Sequence, residues 1–389
     1  MTVHWFKDIS IYRFHFGRVL LLLVGTLLLG ACASQQTTNP EPPLLRNTGP
    51  EIQVADIDVL AVSPEMNEFL ERYILPYSRK HTRAILLMDA VTPPNGALGF
   101  DYDDTLTLTA SEAFERRTGN CIGFANMMIA LARKAGLEAE YQEITRRPEW
   151  SSRKDTVLII KHVNVILSSP DQAWVVDVSG LRLSQELARQ ITDDNYAKAL
   201  YLNNLGAEAL LNYNLPTAHA YLSKAIETEP RMSDPWINMG VVFGRNDQLE
   251  DAKFAFKRAL QIDGSSSSAM SNLYEVYVAQ EDYVAALDLQ KKVEKYRRDN
   301  PYYLLKLSDE ALAQEEFEES INLLQRAIRK KDNDHMLYFA LAKTQYLSGE
   351  VESAEDNLVR ARKVAPRNMM AHYGRPLDEL VAEEEKPFN

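Results

Sequence analysis

The chain has 389 residues, of which 46% are hydrophobic and 25% charged, and a formal net charge of −12. That is apolar material for more than one core. An acidic chain with no basic run along its sequence argues against gripping nucleic acid or a membrane surface by charge. Two cysteines in so long a chain exclude a disulfide framework.

Residues 1–18 carry Lys7, Arg13 and Arg18, and the apolar run of residues 19–31 then stops at Cys32. A charged start and a short apolar stretch describe an export signal and not a membrane span. Leu29-Gly30-Ala31-Cys32 resembles a bacterial lipobox. The resemblance implies cleavage before Cys32, with acyl chains on its sulfur and new amino group. At roughly 0.8 kcal/mol per buried methylene, two or more such chains hold a protein at a membrane. Ala33 in place of Asp favours the outer membrane, with the body facing the periplasm. The signal takes a net charge of +2 with it, leaving the mature chain near −14. Residues 32–56 read as the lipidated cysteine and a polar, proline-containing flexible tether.

Residues 57–193 alternate in texture. Met66, Phe69, Leu70, Tyr73 and Ile74 stand at helical spacing until Pro76 interrupts them. The loop TPPNGALGFDYDD follows; its acidic end, 101–104, lacks the glycine and distal glutamate of a calcium loop and reads as a solvated turn. Ser111 before Glu112 marks a short helix start. A further helix opens at Cys121 and ends on Arg133-Lys134 and Gly136. EAEYQEI, DTVLIIKHVNVILS and AWVVDVSG, rich in Val, Ile and Trp, predict three strands. Helices followed by antiparallel strands indicate an α+β domain.

From residue 199 the texture becomes uninterrupted helix. Units of 34 residues starting at 199, 233, 267, 301 and 335 align without an insertion. The second unit gives Trp236, Met239, Gly240, Phe243, Ala252, Phe256 and Ala259; the first and fifth end on Pro230 and Pro366. The third and fourth are weaker, with Tyr274 and Ser308 where the others place a small residue. In length and in these positions the pattern resembles the tetratricopeptide repeat. The resemblance implies an all-α solenoid of five helix pairs over 199–368, followed by a tail, 369–389. The second and fifth places of the units, Leu200, Asn203, Ile237, Tyr302, Leu305, Met336 and Phe339, are expected to line its groove. Such a surface suits a protein or peptide partner.

If Cys32 is acylated, Cys121 is left without a disulfide partner. A helix start carries unpaired N–H groups and about half a positive charge, so a cysteine placed there favours its thiolate. Among seven histidines, His4 and His15 leave with the signal, and His219, His335 and His372 fall in the repeats or tail. His81 and His162 remain. His162 lies in IIKHVNVIL, and Asp177 follows fifteen residues later in WVVDVSG. A hairpin closed over Ser168-Ser169-Pro170-Asp171 pairs Leu167 with Gln172 and sets His162 opposite Asp177. Directly opposed side chains share a face about 5 Å apart at Cβ. A slip of one residue separates them.

GNCIGFANMMIALARKAGLEAEYQEI, KHVNVIL and AWVVDVSG together resemble, in kind and in order, the transglutaminase-like (papain-like thiol) superfamily, over roughly residues 60–193. The resemblance implies Cys121 as nucleophile, His162 as general base, Asp177 as its orienter, and an acyl-enzyme on an amide substrate. No metal or cofactor is called for. The Cys121 backbone N–H is the expected first oxyanion donor; Asn120 and Tyr102 are candidates for the second. The expected protein is a membrane-anchored thiol enzyme whose repeats recruit a partner or substrate. Peptidase- or amidase-like hydrolysis is favoured over transglutaminase-type crosslinking because it needs no second amine pocket. The competing expectation is a non-catalytic outer-membrane scaffold.

Overall fold

The computed structural model describes residues 2–3, 41–46, 52–91, 98–153, 156–170, 172–178, 188–365, 367–370 and 372–384. Cys32, and with it the lipidation expected there, lies outside them. So does all of the export signal except Thr2–Val3.

Those two residues form a short strand, β1. Helix α1, Pro64–Tyr73, opens under the Ser63 side chain, which accepts the Met66 N–H, and has proline at its first position. Met66, Phe69 and Leu70 face the core. Helix α2, Lys80–Val91, follows. Two short strands, β2 Asp101–Tyr102 and β3 Thr118–Gly119, pair in parallel on either side of α3, Ala110–Arg116. The cap of α3 is Thr109 and not Ser111. Thr109 stands three residues before Glu112, so side chain and backbone satisfy each other reciprocally, which Ser111 cannot do.

Helix α4, Cys121–Lys134, is the centre of the domain: every residue from Cys121 to Ala132 is buried. It packs against an antiparallel sheet built from β4 Glu138–Arg153, β5 Thr156–Ser168, β6 Ala173–Val176 and β7 Ala188–Thr192. The order is β1-β5-β4-β7, with β6 also on β5. Tyr141 of β4 donates its hydroxyl to Asn126 Oδ1 of α4 at 2.7 Å, a polar pin inside the apolar interface. Strand β7, sequence ARQIT, is absent from the expected strands; it is short, lacks apolar alternation, and is held by backbone pairing with β4.

Ten helices then follow as five antiparallel pairs. They are α5 Asp194–Leu211 with α6 Leu215–Thr228, α7 Ser233–Arg245 with α8 Leu249–Ile262, and α9 Ser267–Ala279 with α10 Tyr283–Asp299. The last two are α11 Pro301–Ala313 with α12 Phe317–Lys330, and α13 His335–Leu347 with α14 Val351–Val364. Helices α7, α9, α11 and α13 begin on the expected unit starts. The turn inside each pair repeats as well: Tyr213, Asp247, Glu281, Glu315 and Gly349, each 34 residues after the last, all take positive φ. Gly206 and Gly240 mark close crossings, where an added Cβ would stand 2.7 Å from Leu222 and 2.5 Å from Phe256.

The joints between segments differ from expectation. Helix α5 begins at Asp194 and packs Ala197, Ala199, Leu200, Tyr201 and Leu202 into the core of the preceding domain, so no linker separates the two. The tether is not free along its described length. Pro43 O accepts from His219 Nε2 at 2.9 Å, Leu44 O from Gln248 Nε2 at 3.1 Å, and Arg46 O from Asn246 Nδ2 at 2.9 Å. Arg46 also pairs with Asp251, and Leu45 packs on the second repeat. The tail folds as α15, Arg367–Met370, and α16, Leu377–Glu384; Leu377, Leu380 and Val381 close the apolar end of the last pair. No helix among the described residues is long and apolar enough to cross a membrane.

Net charge concealed one feature. Helices α10 and α12 surround a concavity of about 630 Å³ with Lys295, Arg298, Arg326, Arg329 and Lys330, and Asp299 is the one carboxylate lining it. The chain does carry a basic patch, assembled by repeat stacking from positions remote in sequence.

Candidate functional site

Cys121 is the first residue of α4, and Asn120 is its cap. Asn120 Oδ1 accepts the Gly123 N–H at 3.0 Å, and Nδ2 donates to Thr107 Oγ1 at 2.8 Å. The carbonyl end of that carboxamide caps the helix, and the amide end ties it to the preceding loop. The thiol is free and 5% exposed. It donates weakly to the Lys161 carbonyl oxygen, with Sγ 3.8 Å away. The first turn of α4 contains no acidic residue, and Arg133 and Lys134 sit at the opposite end.

Two further residues come from the β5–β6 hairpin. Its turn is tighter than expected: Ser169 and Gln172 exchange backbone hydrogen bonds, and the ladder runs Ser168↔Ala173, Leu167↔Trp174, Ile166↔Val175, Val165↔Val176. Leu167 therefore faces Trp174 and not Gln172, a shift of two residues. One more step of the ladder puts Asp177 opposite Asn164, with His162 diagonal to it. A shift by an even number leaves every side chain on its original face. His162 Nε2 and Asp177 Oδ2 lie 2.7 Å apart, their side chains 6% and 8% exposed.

The imidazole is hydrogen-bonded to Asp177, and Cys121 is close enough to act on its charge. With Nε2 engaged by the carboxylate, Nδ1 is the nitrogen left for the thiol. Burial alone would lower the His162 pKa. The hydrogen bonds and charges of Asp177 and Cys121 outweigh it, and the group is pushed up from 6.5 to about 9.

Lys161 gave no functional signal beyond being a lone charge in the apolar run LIIKHVNVIL. Its ammonium lies 2.6 Å from Asp234 Oδ2 of α7 and 3.5 Å from Glu143 Oε1 of β4. Tyr196 of α5 donates to Glu143. Burial works against the charged ammonium, but Asp234, Tyr196 and Glu143 outweigh it and hold the pKa above the ordinary lysine range. Asn164 is fully buried, and neither atom of its carboxamide has a hydrogen-bond partner among the described residues.

Tyr102 is 39% exposed on β2, in register with Gly119. His81 packs on Trp174 with ring centroids 5.3 Å apart. Asn203, Ile237, Tyr302 and Phe339 are 0%, 1%, 4% and 7% exposed and do not line an open groove. Asn203 accepts from Asn238 at 2.8 Å, Tyr302 donates to Asp334, and Phe339 stacks near Tyr373. Asn203 thus faces the next helix pair, and Phe339 faces the tail. Met336 is half-buried.

Residues 94–177 match the sequence model of the transglutaminase-like superfamily core, a span that contains Cys121 and His162 and ends on Asp177. RNA polymerase-associated protein CTR9 of Caenorhabditis elegans is 25% identical over 166 residues; the match takes in 41% of this chain and 14% of that relative's length. Among solved structures, MamA (residues 41 to end) of Desulfovibrio magneticus RS-1 is 17% identical with a TM-score of 0.28, covering 43% of this chain and 94% of that one. A thermophilic tetratricopeptide-repeat protein of Thermus thermophilus is 16% identical with a TM-score of 0.33, covering 45% and 97%. Residues 94–177 are thus similar to the transglutaminase-like superfamily core, and five helix pairs with a 34-residue period follow that stretch.

Proposed function

We propose that this protein is a lipid-anchored thiol enzyme of the bacterial envelope, acting on amide bonds through an acyl-enzyme on Cys121. The observation that carries the reading is the meeting of a helix-start thiol with an imidazole whose far nitrogen is held 2.7 Å from a carboxylate. The Cys121 thiolate adds to the amide carbonyl carbon and forms a C–S bond. As the C–N bond breaks, the His162 imidazolium gives its proton to the departing amine. Water then adds to the thioester as His162 takes its proton, the C–S bond breaks, and the acid leaves with the thiolate and imidazolium restored. The Cys121 backbone N–H, in the first turn of α4, is the donor best suited to the oxyanion; Tyr102 remains the side-chain candidate for a second. Hydrolysis is preferred to transfer because an amine acceptor needs a pocket of its own.

The lipobox-like Leu29-Gly30-Ala31-Cys32 supports anchoring at the outer membrane with the body in the periplasm, and the repeats suit a protein partner. Cys32→Ala is expected to release the protein from the membrane fraction; continued sedimentation with lipid refutes the anchor. The enzyme reading is tested by incubating the protein with envelope extract and weighing it. The expected result is an acyl adduct on Cys121 that is absent from Cys121→Ser. The rival reading, an inert scaffold, draws on the 5% exposure of Cys121. It prevails if no adduct forms and if alkylation of Cys121 proceeds at an ordinary thiol's rate, unmoved by His162→Ala.

A further inference from the structure

Lys161 touches three systems at once. Its carbonyl oxygen lies under the Cys121 sulfur at 3.8 Å, its peptide bond leads into His162, and its ammonium leaves the domain to meet Asp234 of the second repeat at 2.6 Å. Asp234 sits in the first turn of α7, where the helix dipole favours a carboxylate, and its side chain is 7% exposed. Glu143 approaches the same ammonium from β4, and Tyr196 ties Glu143 to the first repeat helix. Farther along, β4 also reaches α11 of the fourth unit. The strand that carries the imidazole is therefore held by the repeats, through a charge pair whose carboxylate is buried and whose ammonium is 31% exposed.

A surface ion pair in this place would contribute little, because water and salt screen it. Here the carboxylate is only 7% exposed although the ammonium is 31% exposed, and removing Lys161 would leave Asp234 buried and uncompensated, so the strand at residue 161 has a preferred position. Both the carbonyl beneath the sulfur and the backbone of His162 follow that position. From this geometry we infer that Lys161 and Asp234 are positioning residues for the thiol site. The second repeat sets the alignment of thiol and imidazole, and the array of repeats is part of the chemical apparatus as well as a docking surface. The inference rests on the reading of Cys121 as a nucleophile.

The test uses the full chain and the rate of Cys121 alkylation by iodoacetamide at neutral pH, followed by intact mass, beside the thermal midpoint. Asp234→Asn keeps the shape and removes the charge. It is expected to slow alkylation about tenfold, the scale of a small misplacement of reacting groups. Asp234→Glu, which keeps the charge, is expected to restore the wild-type rate; a merely structural staple would move the thermal midpoint and leave the rate alone. Asp234→Asn that folds and alkylates like the wild type overturns the inference while leaving the thiol chemistry standing. A wild-type Cys121 no faster than free cysteine, and indifferent to His162→Ala, overturns both. Should Asp234→Asn fail to fold, Glu143→Gln decides: a slowed thiol supports the positioning role, and an unchanged one refutes it.

Discussion

Asp177 holds His162 across β5 and β6 although the two residues are diagonal, not opposed: Oδ2 and Nε2 lie 2.7 Å apart while the ladder sets Val176 against Val165. A diagonal pair is farther apart at Cβ than a direct one, yet still within reach of long side chains. The imidazole and carboxylate bridge that gap between them. This explains why the contact goes through Nε2, the ring's outer nitrogen.

Asp177→Asn removes the charge and keeps the shape. His162 then retains the burial that lowers its pKa and loses the carboxylate that raises it. Titration of the His162 imidazole by NMR is expected to fall from about 9 in the wild type, with Cys121 the remaining group that raises it. A variant that still titrates near 9 would show that the thiol alone holds the proton.

The same raised pKa makes stability depend on pH in one direction. The folded group binds its proton more tightly than the unfolded group, whose value is near 6.5. Its stabilising contribution is complete below pH 6.5 and is lost as pH rises towards about 9. Across that window the unfolding free energy is expected to fall by up to about 1.4 kcal/mol per pH unit from this proton. Urea titrations at several pH values read the slope, and His162→Gln is expected to flatten it. A wild-type slope of the opposite sign sinks the assignment of the proton to His162.

The parts of this fold that were legible in sequence are those governed by a short-range rule. The starts of α7, α9, α11 and α13 follow a 34-residue period because each unit repeats one local solution. The shared face of His162 and Asp177 survived a misjudged turn because strand faces alternate with period two, and the error was even. What escaped was set by packing between distant segments. Asn203 and Phe339 were expected in a groove and are buried, since periodicity names a helix position without naming its neighbour. Lys161 found its partner 73 positions away on α7, and the basic concavity joins α10 to α12; neither leaves a mark on a local pattern. The docked tether depends on backbone carbonyls, which carry no sequence signature at all.

That tether makes its own prediction. Asn246 and Gln248 grip the main chain of Leu44–Arg46, and Arg46 is further held by Asp251. A segment so held resists a protease, which needs several residues free in an extended form. Gln248→Ala with Asp251→Ala is expected to speed tryptic cleavage after Arg46 by about tenfold or more, about 1.4 kcal/mol or more of lost docking. The thermal midpoint of the repeats should move little. Equal cleavage rates in wild type and variant would mean that the contact does not persist in solution.

The glycine of the second unit can be tested against the fifth. An added Cβ at Gly240 would lie 2.5 Å from the buried Phe256 ring, which has no space to retreat. Alanine is the better helix former by up to about 1 kcal/mol, while overpacking a tight core costs about 1–3 kcal/mol, so the clash wins and Gly240→Ala should destabilise. In the fifth unit the corresponding positions are Ala342 and Leu358, whereas the first unit keeps a glycine against leucine, with an added Cβ at Gly206 2.7 Å from Leu222, so helix spacing acts together with side-chain size. Phe256→Leu alone should also destabilise, by leaving unfilled volume. The double variant Gly240→Ala with Phe256→Leu recreates the fifth unit's pair, and its loss should be smaller than the two single losses together, by about 1 kcal/mol of favourable coupling. Urea unfolding of the four proteins closes this cycle. Strict additivity would mean that helices α7 and α8 part to admit the methyl, and that the close crossing at Gly240 is not what spaces this unit.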